Sequence, residues 1–396
     1  MAAAAVGAKA EYTIDEAIEA IGFGRYQLAV LLMSGLCWTA DAMEMLLLSY
    51  IKLPLQCEWK ISDAQAAIIT AGVGAGMLFG SVTWGVVSDG YGRRVGFLAV
   101  AAFTFSFGVV SALSTNYTMM VASRTLVGFG IGGVPVAFSL MMEWLPVAQR
   151  GTWGMGVVLF WSGGAIFEAL IAMEIMPTLG WRWLVAISSA PLGMLLLLWP
   201  ALPESPRWLV GKGKIEEAQK LLEAAAKVNG ITLPQGTLSS KFDAVDDGHG
   251  SVGADQIRLL LHPTLRAMTL RIWYLWFSAA FVYYGLVMLQ PDMIAMENKG
   301  LRCEYHIEGA QSIPQHHELT SDPAKDASSN NSSSISSSSS SSVEPGDTPC
   351  LNAMTVSDYV DSLISTAGEF PGVIATMILL DHLGRRPSLA YMYHLR

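Results

Sequence analysis

The sequence predicts an all-α membrane protein, and three observations carry that expectation. Hydrophobic residues make up 52% of the 396-residue chain and charged residues only 14%, a balance too apolar for an ordinary soluble domain. The apolar residues gather into runs close to the ~20 residues that a helix needs to cross a bilayer. Two short polar loops, each with an acid, a glycine and two adjacent arginines, follow such runs: one at Asp89 to Arg94, the other at Asp381 to Arg386.

On the span-length rule, helices are expected at 27–50, 65–87, 95–113, 119–142, 152–176, 183–202, 268–290 and 358–380. A shorter amphipathic helix over 13–21 precedes them on the cytoplasmic surface. Thr13 and Glu16 have capping-box spacing there, and Ile14, Ile18 and Ile21 share one face. Paired arginines are retained in the cytoplasm, so Arg93 and Arg94 fix the orientation. Parity then brings the amino terminus, the 203–267 loop and the Arg385/Arg386 loop to the same side. The expected organisation is a cytoplasmic segment 1–26, a six-helix transmembrane bundle 27–202, a cytoplasmic loop 203–267 with its own helix near Lys214, and a region 268–396. That last region holds two more helices around an extracellular or lumenal connector, 291–357.

Several functions are excluded or left without support. A net charge of −9 argues against nucleic acid as a partner. The four cysteines, at 37, 57, 303 and 350, show no CxxC or Cys/His spacing, so neither a metal site nor a cofactor is expected. Cys303 and Cys350 face the oxidising side and are candidates for a disulfide, with Cys57 as a competing partner. Asn330 and Asn331 begin overlapping glycosylation acceptors in the same connector.

Two loops and several longer stretches together resemble a known family. The Asp89–Arg94 and Asp381–Arg386 loops are similar to the signature loops of the major facilitator superfamily. Asp41 to Met45, Arg124 to Pro135, Pro203 to Leu209, Gly180 to Trp183, Tyr283 to Leu286 and Glu369 to Gly372 resemble its synaptic vesicle protein-related group, which sits beside the organic ion transporters. The resemblance implies the facilitator fold: a complete amino-terminal six-helix bundle followed by the first two helices of a truncated carboxy-terminal bundle, where the family has twelve helices. It implies no enzymatic activity. It implies alternating-access movement of a small organic solute, an organic ion or a nicotinate-like molecule, across a vesicle or plasma membrane. The rival expectation is a truncated membrane protein that does not transport and serves a regulatory or trafficking role.

Ionisable groups inside spans mark the candidate site, because each is costly in hydrocarbon. At 1.5 Å per residue, Asp41, Glu168 and Glu369 fall roughly 21, 24 and 17 Å from the ends of their helices on the arginine side, one central layer. Glu44 shares a face with Asp41, and Arg124 is the only cation within the first six expected spans. By resemblance Asp41 pairs with Arg124, either as a proton-coupling device or as a static ion pair; both readings stay open. Tyr283 and Tyr284 are candidates for solute contact, with lipid-facing roles for most neighbouring aromatics. Asp89, Arg93 and Arg94 form a candidate cytoplasmic latch. Resemblance extends it to Glu143 with Arg150, Glu204 with Arg207, and Asp381 with Arg385 and Arg386; anchoring to headgroups is the alternative. Gly72, Gly76 and Gly80, with Gly128 and Gly132, are expected to let two helices approach closely.

Overall fold

The structure is a computed structural model that describes residues 11–239, 260–298 and 355–383. Its elements are β1 (Glu11–Tyr12), α1 (Ile14–Ile21), α2 (Arg25–Trp59), α3 (Asp63–Tyr91), α4 (Arg93–Ala112), α5 (Tyr117–Ile131), α6 (Val134–Glu143), α7 (Arg150–Thr178), α8 (Trp181–Ser188), α9 (Ala190–Leu197), α10 (Pro206–Gly211), α11 (Ile215–Asn229), β2 (Thr237–Leu238), α12 (Arg266–Asn298), α13 (Val356–Ala367) and α14 (Glu369–Leu383). Among the described residues six helical stretches are long and apolar enough to cross a membrane: α2, α3, α4, α5 with α6, α7 with its short lead-in, and α13 with α14. The α8–α9 stretch, Trp181–Leu197, is apolar but shorter, and α12 runs for 33 residues.

α2 is the axis. Every residue from Ala40 to Ile51 is buried, which marks a helix enclosed on all sides. It packs along α7 and against α6, α8, α9 and α12. Its helix continues past the expected end at residue 50 to Trp59, through Pro54, so the connector to α3 shrinks to Lys60–Ser62. Ser62 then caps α3 by accepting from the Gln65 amide at 3.3 Å.

α3 and α5 form the tightest helix pair, and their glycines explain it. A Cβ on Gly76 would strike the Thr125 carbonyl and the Phe129 amide, and one on Gly80 would strike the Phe129 carbonyl. The two backbones touch, as the four-residue spacing predicts. Gly92 separates α3 from α4 at φ 112°, a left-handed conformation that a residue with a Cβ adopts with strain.

Two expected single spans are broken. Residues 117–143 divide at Gly132 and Gly133, just ahead of Pro135. Residues 181–197 divide at Ser189, ahead of Pro191. In each case a proline in the first turn of the second piece has no N–H to continue the ladder from the first.

One end of the bundle carries a collar. The capping box of α1 is present: Glu16 N–H donates to Thr13 Oγ1 at 3.2 Å and Thr13 N–H to Glu16 Oε2 at 2.8 Å. Its apolar face (Ile14, Ala17, Ile18, Ile21) is buried, and α11 packs on it, so α1 is covered by protein on the face expected to lie at the surface. Glu11 and Tyr12 pair in parallel with Thr237 and Leu238, a bridge that hydropathy did not predict. Asn229, ending α11, accepts from the Tyr26 amide at 3.0 Å and donates to Gln27 Oε1 at 2.8 Å, so it caps the start of α2.

Candidate functional site

Mid-bundle, Arg124 of α5 is fully buried and forms an ion pair with Glu44 of α2, itself 1% exposed. Glu44, not Asp41, is the partner, which corrects the expectation from the sequence. The physical reason is axial position. Glu44 lies three residues further along α2, about 4.5 Å farther from the Arg93 end, and Arg124 sits nearer Tyr117 than Glu143 in the α5–α6 stretch, whose Glu143 end meets Arg93. Ser189 donates to the other oxygen of Glu44 at 3.1 Å.

Glu168 of α7 faces Ser188, whose Oγ lies 3.0 and 2.9 Å from its two carboxylate oxygens. Glu44 and Arg124 both act on Glu168 electrostatically. Two consecutive serines at the α8–α9 break thus reach two different carboxylates. Neither serine was singled out from the sequence; the signal was a Ser-Ser-Ala-Pro interruption in an apolar run.

Asp41 keeps one buried oxygen, Oδ1, without a hydrogen-bond partner among the described residues. With Glu44, Cys37 and Thr104 it lines a cavity of about 10 Å³, room for one water. Arg124 Nε and Nη2 and the Trp38 indole nitrogen are also buried without partners.

Glu369, first residue of α14, joins a second cluster. Ser162 donates to it at 3.1 Å, Tyr283 donates to it at 3.3 Å, and Trp161 donates to the Tyr283 hydroxyl at 2.5 Å. Tyr284 meets Trp161 edge-on at 6.3 Å between ring centres, as does Trp38. These contacts join α7 to α12 and α14, while Tyr50 of α2 meets Ser362 of α13 at 3.0 Å. The structure therefore places Asp41, Glu44, Arg124 and Glu168 in one layer, with Glu369, Tyr283 and Tyr284 around Trp161.

At the loop end Arg93 pairs with Asp89 and, at 3.2 Å, with Glu143. Glu204 accepts from the Arg94 amide at 3.0 Å, and the Arg94 guanidinium lies over Trp199. Two pairings suggested by resemblance are corrected. Arg150 and Arg207 both bind Asp15 of α1 rather than Glu143 and Glu204, because the collar brings an acid closer to both. All these contacts lie within residues 11–239. Asp381 lies in the last turn of α14; Arg385, Arg386, Asn330, Asn331, Cys303 and Cys350 lie outside the described residues.

Long apolar helices packed through glycine contacts, with carboxylates and a guanidinium sealed in their middle, define a multi-pass membrane protein of the transporter class. The chain belongs to the sugar (and other) transporter family of the major facilitator superfamily, whose profile matches residues 24–303. It is 36% identical to organic cation/carnitine transporter 7 of Arabidopsis thaliana, covering 96% of this chain and 73% of that one. It is also 36% identical to the synaptic vesicle 2-related protein of Xenopus laevis, covering 96% and 62%. The chain thus spans between 62% and 73% of the length of these two relatives. A bacterial homologue of the human lysosomal transporter Spinster, solved facing inward, shares the fold at TM-score 0.50 and 18% identity, over 71% of this chain and 58% of that one. The family is one of transporters, not of enzymes.

Proposed function

We propose that this protein moves a small organic solute across a vesicle or plasma membrane by alternating access, and that the solute is an organic ion. The observation that carries this reading is the set of orphaned polar atoms in the buried layer: Asp41 Oδ1, Arg124 Nε and Nη2, and Trp38 Nε1. Buried polar groups are almost always paired, and leaving one unpaired costs about 1–3 kcal/mol. A polar solute entering between the helices would supply those partners. Transporters of this architecture hold substrate and coupling ions at this depth.

The aromatic corner narrows the class. Trp38, Trp161, Tyr283 and Tyr284 form a connected set of ring contacts, and Tyr283 donates to Glu369, a combination of π faces and a carboxylate that suits an organic cation. The relative named as an organic cation/carnitine transporter supports the same class. The loop-end pairs of Arg93, Arg94, Arg150 and Arg207, with arginine on the cytoplasmic side, act as a clamp that keeps one end of the bundle closed. Orientation, eight membrane crossings, and proton coupling through the buried acids belong to this proposal.

The test is uptake of labelled tetraethylammonium, carnitine and nicotinate by the chain reconstituted in liposomes, with and without a proton gradient. Saturable uptake of the cation that falls at least tenfold in Asp41→Asn or Glu369→Gln supports the reading. Uptake of none of the three by a folded, correctly inserted chain sinks it.

A further inference from the structure

The hydrogen bonds of the aromatic corner close on themselves. Trp161 donates to the Tyr283 hydroxyl, and the Tyr283 and Ser162 hydroxyls fill one oxygen each of Glu369. Trp38 stands outside this circuit. Its ring meets Trp161 edge-on at 6.3 Å between centres, yet its indole nitrogen is buried with no acceptor among the described residues. An indole N–H can only donate.

One turn further along α2, Asp41 keeps Oδ1 open. Residues three apart on a helix share a face and lie about 4.5 Å apart along its axis. Asp41 acts electrostatically on Tyr284, and Tyr284 meets Trp161 at 6.3 Å between ring centres. The two open atoms therefore belong to side chains linked through the same pair of rings. Arg124 also has open nitrogens, but it is fully enclosed and its charge is engaged by Glu44. Trp38 is only half-buried and sits at the seam of α2 and α7, where a solute can reach it.

One turn of α2 thus offers a lone donor beside a lone acceptor. A tetraalkylammonium ion satisfies the charge of Asp41 but brings no acceptor, so the indole would stay unpaired, a costly state for a buried donor. We propose that Trp38 is a specificity-determining residue: with Asp41 it selects an organic cation that also carries a neutral oxygen acceptor a few bonds from its nitrogen. The ammonium faces Asp41 and the oxygen, of a hydroxyl, ester or carbonyl, accepts from Trp38. A neutral oxygen is favoured over a carboxylate because three acids, Asp41, Glu44 and Glu168, share this layer with a single guanidinium, and a further anion would be repelled. Glu369, with both oxygens already held, orients Tyr283 and is not the docking carboxylate. The inference deepens the organic-ion reading and rests on it.

The experiment is equilibrium binding to the purified chain in lipid nanodiscs, with labelled choline displaced by unlabelled trimethylpropylammonium or betaine. The first pair is matched in shape and differs in a hydroxyl against a methyl, and a site that hydrogen-bonds a hydroxyl rejects the analogue lacking it. Choline should bind about tenfold more tightly than trimethylpropylammonium, and betaine, with its carboxylate, should bind more weakly than choline. Trp38→Phe keeps a ring against Trp161 and removes the donor, so the choline preference should fall to near unity; Trp38→His, which restores a ring N–H, should regain part of it. A preference that survives Trp38→Phe overturns the proposal, as does betaine binding as tightly as choline. If Trp38→Phe does not fold, the unmodified chain decides: equal affinity for choline and trimethylpropylammonium overturns this inference and leaves the organic-ion reading standing. Binding of none of the three by the folded chain overturns both.

Discussion

Trp161 and Tyr283 meet through one hydrogen bond, indole nitrogen to phenol oxygen at 2.5 Å, and the same phenol reaches Glu369. This short chain of donors fastens α7 to two helices that follow the 203–267 loop. Tyr283→Phe removes both bonds and leaves the Trp161 N–H without its acceptor. The expected loss is about 1–3 kcal/mol, read as a lower thermal-unfolding midpoint in detergent, with no matching loss in Tyr274→Phe, whose side chain is exposed.

Glycines on α3 should separate by face. Gly76→Ala drives a methyl into the α5 backbone, an overpacking defect of about 1–3 kcal/mol. Gly74 meets nothing within 4 Å, so Gly74→Ala should stabilise the helix by up to about 1 kcal/mol. Paired melting curves of the two variants check the difference in sign.

Removing one member of the buried ion pair should be worse than removing both. Arg124→Met strands Glu44 at a position 1% exposed, with an expected loss of about 3–5 kcal/mol. Adding Glu44→Leu should recover a large part of it. The double-mutant cycle, measured by chemical unfolding in mixed micelles, gives the coupling directly.

The collar should loosen without unfolding the bundle. Asp15 binds Arg150 and Arg207 while 53% exposed, so Asp15→Asn should change global stability by no more than about 1 kcal/mol. Hydrogen exchange should accelerate across residues 14–21, and in Thr13→Ala as well through loss of its cap.

Much of this was legible in the chain. Apolar run lengths gave the long helices, Thr13 with Glu16 announced α1, and the four-residue glycine spacing announced the α3–α5 contact. Buried charge at Asp41, Glu44, Arg124 and Glu168 was visible because such residues stand out in apolar runs. What was not legible was which charges meet. Choosing Glu44 over Asp41 for Arg124 depends on a few ångströms of axial offset between two helices that sequence does not register. The Ser188 and Ser189 contacts depend on a helix break whose rotation sets where each hydroxyl points. Asp15 was hidden for another reason: its partners lie more than 130 residues away in the chain, joined through a collar that hydropathy alone does not reveal.

The backbone contact between α3 and α5 also limits how the molecule can change shape. Where Gly76 and Gly80 rest on Thr125 and Phe129, no side chain stands between the helices to change rotamer and absorb a shear. The two helices must therefore travel as one slab, carrying Arg124 with them. Spin labels placed across that seam should keep their spacing through every step of a working cycle, while labels spanning α7 and α14 should not.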